Sequence, residues 1–483
     1  MPSRATGEAY NQRLKGLSIT PLVGIDPDEW TRLSDSGAPM PHAALEQLYV
    51  EHLAEVGQRT AAALERSGFE SVVVHAGEML GLFVDDQHYP YKAHPPFKWW
   101  LPLLDAPGSM VYFKPGQRPK LVFHVETDFW YQPATLPQGG WPAQFEIIVV
   151  HSREAARAAL PDNLSRTAWI GDPLPELIGW GIAAINPPDL IRRLDYTRAY
   201  KTPYEIACLA QANDIAARGH LAAEACFRAG GSEYDIHQAF AGACGQREQE
   251  LPYNAIVALN EAASVLHYQV LRRDKPKQHR SLLLDAGASF CGYGSDITRT
   301  TAAEQNDFAE LVGAMDKLQL RLCALVKPGV DWRDIHAAAV ERISDLLCTA
   351  GVLRCSASEA IESGASRLFF PHGIGHLLGL QVHDVGGTMA DDVGGISPKP
   401  PRDPALRLTR KLEPGFVVTM EPGVYFIDAL LGPAKTGPHA SRIDWHKVAA
   451  FAPFGGIRIE DNLAVTQNGC DNLTRAAFRA ALA

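Results

Sequence analysis

The segment 282–300, LLLDAGASFCGYGSDITRT, constrains the fold more than any other. It puts Asp285 at the end of one short run and Asp296 at the head of another, with the glycine-containing ASFCGYG between them. In an antiparallel pair joined by such a turn, the two carboxylates sit across from each other and point to one face. Two like charges held that close need a cation. An aspartate beside a glycine turn also serves as an ordinary turn residue, so the segment alone leaves both readings open.

Three further segments add side chains of the same character. FFPHGIGHLLGLQVHDVGG contributes His372, His376 and His383, bracketed by glycines that permit close backbone approach. A single histidine is most often a satisfied residue of the partial core, whereas three within one short segment point to a site. VVTMEPGVYF ends an apolar run with Glu421, and GGIRIEDNLAV puts Glu460 inside an alternating strand. Carboxylates in apolar strand surroundings are costly unless neutralised; for Glu460 an ion pair with Arg458 is the alternative to a metal. Four carboxylates and one imidazole make a hard, oxygen-rich donor set that suits manganese, cobalt or zinc in a paired site better than a thiolate zinc site. Such a pair activates water against a carbonyl, so hydrolysis is the expected chemistry.

The rest of the chain frames this centre. At 483 residues it exceeds the size at which single cores stop growing, so two domains are expected. With 46% hydrophobic and 21% charged residues it reads as an ordinary globular protein. Its net charge of -10 disfavours nonspecific binding to nucleic acid or anionic membranes. The 8 cysteines contain no CxxC pair, against a disulfide framework and a thiolate metal site. The N-terminal MPSRATGEAYNQRLKG has no following apolar stretch, and no segment is apolar enough to span a bilayer; a cytoplasmic location is the expectation.

The pattern divides the chain into an irregular extension over 1–41, an α/β domain over 42–195 and a catalytic domain over 196–483. Leu45, Leu48, Leu53, Val56 and Leu64 have helical spacing that stops at Ser67-Gly68. Strands are predicted at 71–75, 120–125, 145–150 and 168–170, with a helical stretch at 152–160. After Pro187-Pro188, a long helix is predicted from Thr202-Pro203 to the Gly230-Gly231 stop. Strand pairs then alternate with helices near 308–326 and 332–350.

DAG with SDITRT, PHGIGH, VHDVGG, MEPGVYF and GGIRIEDN, in this order and at these intervals, resemble the signatures of the pita-bread metallopeptidases. Within that family they are similar to the proline dipeptidase (prolidase) branch. FVDDQHYPYK and HPPFKWWLP resemble segments of the bacterial prolidases also studied as organophosphorus acid anhydrolases. The resemblance runs from about residue 46 onward and implies an α/β N-terminal domain followed by an α+β pita-bread catalytic domain, acting as a homodimer. It also implies roles. Asp285 would ligate one metal, Asp296 and Glu460 would bridge both, and His376 would ligate the second with Glu421, which also shuttles the proton of the attacking water. His267 and His383 match histidines that contact the scissile carbonyl, His372 fits a supporting or proton-relay role, and Thr298 would orient Asp296. Arg407 matches the arginine that clamps the substrate's C-terminal carboxylate, with a structural ion pair as its alternative. Arg458 would neutralise carboxylates around the metals, Tyr253 would border the proline pocket, and Asp86 would reach the substrate's amino group across the dimer, unless it is a capping or turn residue.

These features predict a cytoplasmic hydrolase holding two divalent ions, manganese first, with cobalt or zinc as alternatives, that cleaves the Xaa-Pro bond of dipeptides. It would bind neither nucleic acid nor membrane. An aminopeptidase acting before proline in longer peptides and a noncatalytic peptide-binding protein on the same fold are the rival readings. Organophosphate triester hydrolysis is a conceivable side activity of the same centre.

Overall fold

In the computed structural model, the described residues are 42–483 apart from 127, 128, 131 and 137–139. The expected irregular extension over 1–41 lies outside them. A helix over His42–Ser67 comes first and stops where Gly68 adopts a left-handed φ of 77°. Leu53, Val56 and Leu64 on its apolar face are buried.

Strands β1 (Ser71–His75), β2 (Met110–Phe113), β3 (Lys120–His124), β4 (Glu146–Val150), β5 (Thr167–Ile170) and β6 (Ala184–Ile185) form one sheet in the order β4-β3-β2-β1-β5-β6. β1 is parallel to β5, β5 to β6 and β3 to β4, while β2 runs antiparallel to both its neighbours. β1 is buried at every position, which is why it reads as a continuous β-branched run and not as an alternating one. β2, the run MVYF, is missing from the predicted strands, although it is as short and as fully buried as β5.

The second half begins with a helix over Pro203–Arg228. Thr202 caps it by accepting from the Glu205 amide at 3.4 Å, and the Glu205 carboxylate accepts from the Thr202 amide at 2.9 Å. Strands β7 (Ile256–Leu259), β8 (Ser281–Asp285) and β11 (Thr298–Ala302) make a ladder in the order β11-β8-β7, and β9 (Ser289–Phe290) pairs with β10 (Tyr293–Gly294). Helices over Asp307–Cys323 and Trp332–Thr349, capped by Asn306 and Asp331, follow. Strands β12 (Val417–Met420), β15 (Asp461–Val465) and β16 (Cys470–Asn472) form a second ladder, and β13 (Gly423–Tyr425) pairs with β14 (Gly456–Arg458). Single-residue bridges, Thr298 to Glu460 and Leu377 to Val418, stitch these pieces together.

Two apolar clusters hold the assembly. One joins Phe308, Met315, Trp332 and Ile343 of the helices to Phe369, Phe416 and Val418. The other packs Val56, Phe97 and Trp100 of the first half against Tyr204, Leu209, Tyr293, Leu378 and Val417 of the second. The two halves therefore share buried surface next to the segment carrying the histidines. Among the described residues, no helix is long and apolar enough to cross a membrane.

Candidate metal centre

Each of the five expected ligands sits where a strand ends or a ladder is interrupted. Asp285 is the last residue of β8, His376 precedes the Leu377 bridge, Glu421 follows β12, and Glu460 occupies the bridge between β14 and β15. Asp296 stands two residues before β11. The predicted cross-strand pairing of the two aspartates is not what forms: Asp285 pairs with Thr298, and the intervening residues fold into the separate β9-β10 hairpin. Glu460 is likewise outside a continuous strand. Interrupting a ladder frees the side chain to turn inward without shifting the register on either side.

Backbone contacts fix these positions closely. Thr419 donates its amide to the His376 carbonyl at 3.0 Å, and the His376 amide donates to Thr419 Oγ1 at 3.1 Å. Gly375 has φ 156°, and a Cβ there would lie 2.2 Å from the Thr419 carbonyl oxygen, so only glycine lets the histidine segment approach β12 this closely. The Asp296 amide donates to Asn462 Oδ1 at 3.0 Å, and the Glu460 amide to the Thr298 carbonyl at 3.0 Å.

The side chains converge. Ligand atoms of Asp296, His376 and Glu460 all lie within 4.8 Å of one another. His376 Nε2 is 3.4 Å from Asp296 Oδ2 and 3.8 Å from Glu421 Oε1. Its Nδ1 donates to the Leu377 carbonyl at 2.9 Å, which turns Nε2 toward the carboxylates, where it donates to Asp296 in the metal-free site and would offer its lone pair to a bound cation. Asp285 is held on both oxygens: Tyr253 donates its hydroxyl at 2.7 Å and Arg458 Nη2 pairs at 2.6 Å.

Four carboxylates packed together in a buried site perturb one another. Burial, Asp296, Glu421 and Asp285 push Glu460 well above the usual carboxylate range. Burial likewise raises Asp285, against the pull of Arg458, and pushes Glu421 up to about 7. Asp296 moves the other way: burial disfavours its charge, but the hydrogen bond from His376 holds it below its ordinary value. His376 is raised despite burial by Asp296 and Glu421. Such a cluster, with Arg458 as the permanent cation paired to it, is electrostatically incomplete, and an oxygen-rich set with one imidazole lone pair fits divalent cations.

Around the centre, His372 donates Nδ1–H to the Gly373 carbonyl at 2.8 Å and accepts from the Tyr425 hydroxyl at 2.9 Å, while Arg458 Nη1 donates to that same hydroxyl oxygen at 3.0 Å. Burial and Arg458 push His372 down to about 3. The His383 ring packs edge-on against His376 with centroids 4.5 Å apart, and burial, His376 and Arg407 push it down to about 4. His267 and Arg407 are exposed, and close enough for both to act electrostatically on His383. Asp86 stands apart: exposed, it accepts from Gln87 in a segment where Phe83 and Val84 are also exposed.

One expected partnership is replaced. Thr298 donates to Glu460 Oε2 at 2.7 Å, so it orients Glu460 and not Asp296. Arg458 pairs with Asp285 and donates Nε to Thr298 Oγ1 at 3.1 Å, so its contact with Glu460, the alternative to a metal there, runs through the threonine. Tyr425, Thr419 and Asn462 received no role from the sequence, although Tyr425 and Thr419 are polar residues in otherwise apolar buried runs, a pattern that marks obligatory hydrogen bonding.

Residues 207–467 match the model of metallopeptidase family M24, and residues 47–196 match that of the Xaa-Pro dipeptidase N-terminal domain. The chain belongs to metallopeptidase family M24. Within it, the chain is 48% identical over 435 residues to a Xaa-Pro dipeptidase of Stenotrophomonas maltophilia (strain K279a), covering 90% of this chain and 98% of that one. It is 46% identical over 443 residues to the Xaa-Pro dipeptidase of Xanthomonas axonopodis pv. citri (strain 306), covering 92% and 100%. In fold it resembles the aminopeptidase PepP of Pseudomonas aeruginosa (TM-score 0.67, 22% identity, 89% of this chain and 98% of that one). Aminopeptidase P of Escherichia coli with the inhibitor Pro-Leu is similar too (TM-score 0.66, 23% identity, 89% and 99%). The architecture is thus the N-terminal α/β domain and pita-bread catalytic domain that the motifs implied.

Proposed function

We propose that this protein is a Xaa-Pro dipeptidase, hydrolysing the imide bond of dipeptides that end in proline. The observation that carries the reading is the convergence of Asp285, Asp296, His376, Glu421 and Glu460 in one buried cluster, in a chain nearly half identical to proteins of that name. Those five side chains would hold two divalent ions, manganese before cobalt or zinc. What such ions supply is Lewis-acid activation of water and of the scissile carbonyl.

The remaining steps fall to the chain's own residues. Glu421 takes the proton from the attacking water and returns it to the proline nitrogen as the secondary amine departs. His383 and His267 hydrogen-bond the carbonyl oxygen as negative charge builds there, and His372, through Tyr425 and Arg458, supports the proton's path. Arg407 binds the terminal carboxylate, which limits the substrate to dipeptides. Tyr253 borders the proline ring, and Asp86 of a second copy pairs with the substrate's ammonium group in a homodimer. We place the division between the two domains near residue 195, with the first 41 residues as an extension, and the protein in the cytoplasm.

The test is hydrolysis of Gly-Pro, Ala-Pro and Ala-Pro-Ala by metal-stripped protein with and without added manganese, beside the Glu421→Gln variant. Manganese-dependent cleavage of the dipeptides alone, lost in the variant, is the expected result. Preferential cleavage of the tripeptide would move the reading to an aminopeptidase. No cleavage with any metal would leave a peptide-binding protein.

A further inference from the structure

Residues 377–384, the segment that ends at His383-Asp384, are tied down by cations drawn from the first half of the chain and from the junction between the halves. Asp384 Oδ2 receives Lys201 Nζ at 2.7 Å and Asp384 Oδ1 receives Arg198 Nη2 at 2.8 Å. All three side chains are buried, at 2%, 1% and 4% exposure. Arg198 also donates to Gln381 Oε1 at 3.3 Å, and Lys98 donates to the Leu380 and Gly292 carbonyls at 3.4 Å each. Lys201 is itself anchored, its amide to the Gly415 carbonyl at 2.7 Å and its ammonium to the Arg198 carbonyl at 2.8 Å.

The packing around this group is tight. A Cβ on Gly379 would come within 2.2 Å of Asp384 Oδ2 and 2.8 Å of Lys201 Cε, so the segment has no room to slide across the ion pair. Taking three charges out of water is costly, and apolar residues of similar volume often stabilise a protein as well or better. Stability is therefore a poor account of this cluster. Its location supplies another: the residue next to Asp384 is His383, whose ring rests on His376.

We propose that Asp384 is a positioning residue for His383, and that the Asp384, Lys201 and Arg198 ion cluster holds the His383 ring where it meets the scissile carbonyl. The inference rests on the reading of His383 as a carbonyl-contacting residue. It makes the junction between the two halves part of the catalytic apparatus, since Arg198 ends the helix over Pro188–Arg198 and Lys201 stands just before the helix over Pro203–Arg228.

The experiment uses the manganese-loaded enzyme with Ala-Pro. Asp384→Asn alone strands Lys201 with no buried counterion, so the informative protein is the charge-balanced Asp384→Asn/Lys201→Met, in which Arg198 keeps Asp195 at 3.7 Å. Its kcat is expected to fall about 10- to 100-fold, the scale of a small misplacement of a reacting group, with KM within about threefold and bound manganese unchanged. In a His383→Ala background the same pair should lower kcat no further, because residues acting through one another are not additive. Parental kcat in the balanced variant, or an equal loss in both backgrounds, overturns the proposal. Parental kcat in His383→Ala alone overturns the role of His383 as well, which separates the two failures.

Discussion

Stripping the metal should leave a protein in which Glu421 makes a separable contribution to the pH dependence of stability. Burial, with Asp296 and Asp285 nearby, pushes its carboxyl from 4.5 up to about 7 in the metal-free site. Between those values the folded state binds the proton and the unfolded chain does not, so folding stability falls as pH rises through this window. A displacement of that size corresponds to about 3 kcal/mol. His372 and His383, pushed down to about 3 and 4, act in the opposite sense: they remain neutral when folded, and stability is lost as pH falls below their ordinary 6.5. The total slope mixes both signs, and only a difference isolates the carboxyl. Urea unfolding of chelator-treated wild type and Glu421→Gln from pH 4.5 to 8 supplies it: the stability of the wild type relative to the variant should drop by about 3 kcal/mol across that range. With manganese bound, the drop should vanish, because the cation takes the proton's place. Parallel pH profiles for the two metal-free proteins would refute the idea that crowding of buried carboxylates sets the proton affinity of this site.

Thr298→Val, which keeps the shape but removes the hydroxyl between Glu460 and Arg458, should weaken manganese binding by about 10- to 100-fold in a chelator competition. Gly375→Ala should destabilise the protein by at least about 1–3 kcal/mol, read as a lowered unfolding midpoint, since the new Cβ meets the rigid Thr419 carbonyl. Arg407→Met should raise KM for Ala-Pro while leaving Ala-prolinamide, which has no terminal carboxylate, nearly unaffected; equal changes for both substrates would remove Arg407 from carboxylate binding. Asn462→Leu, which deletes the acceptor of the Asp296 amide, should cost about 1–3 kcal/mol of stability for the buried donor left unpaired.

Much of the fold was legible because its signals are local. The helix from Pro203 declares itself by a proline in the first turn and a Thr202/Glu205 capping box, and the helix from Asp307 by apolar residues on one face. β1 and β8 are fully buried runs whose β-branched or leucine content needs no partner to be recognised. The break in the ladder at Glu460 was not legible, because a bridge of a single residue leaves no periodicity behind. The reading of Asp285 and Asp296 as direct cross-strand partners failed for a related reason: glycines between two runs announce a turn, but not whether the intervening residues form a hairpin of their own.

The sequence by itself determined the kind of chemistry. Carboxylates and histidines embedded in apolar, glycine-flanked runs cannot be left uncompensated, and their order along the chain carries the family resemblance. Tertiary structure decided which group serves which. Thr298 and Glu460 are 162 positions apart, Arg458 and Asp285 173, and Lys201 and Asp384 183. Hydrogen bonds act over about 3 Å, so their choice of partner is fixed only once the ladders have closed and the two halves have packed together around the site.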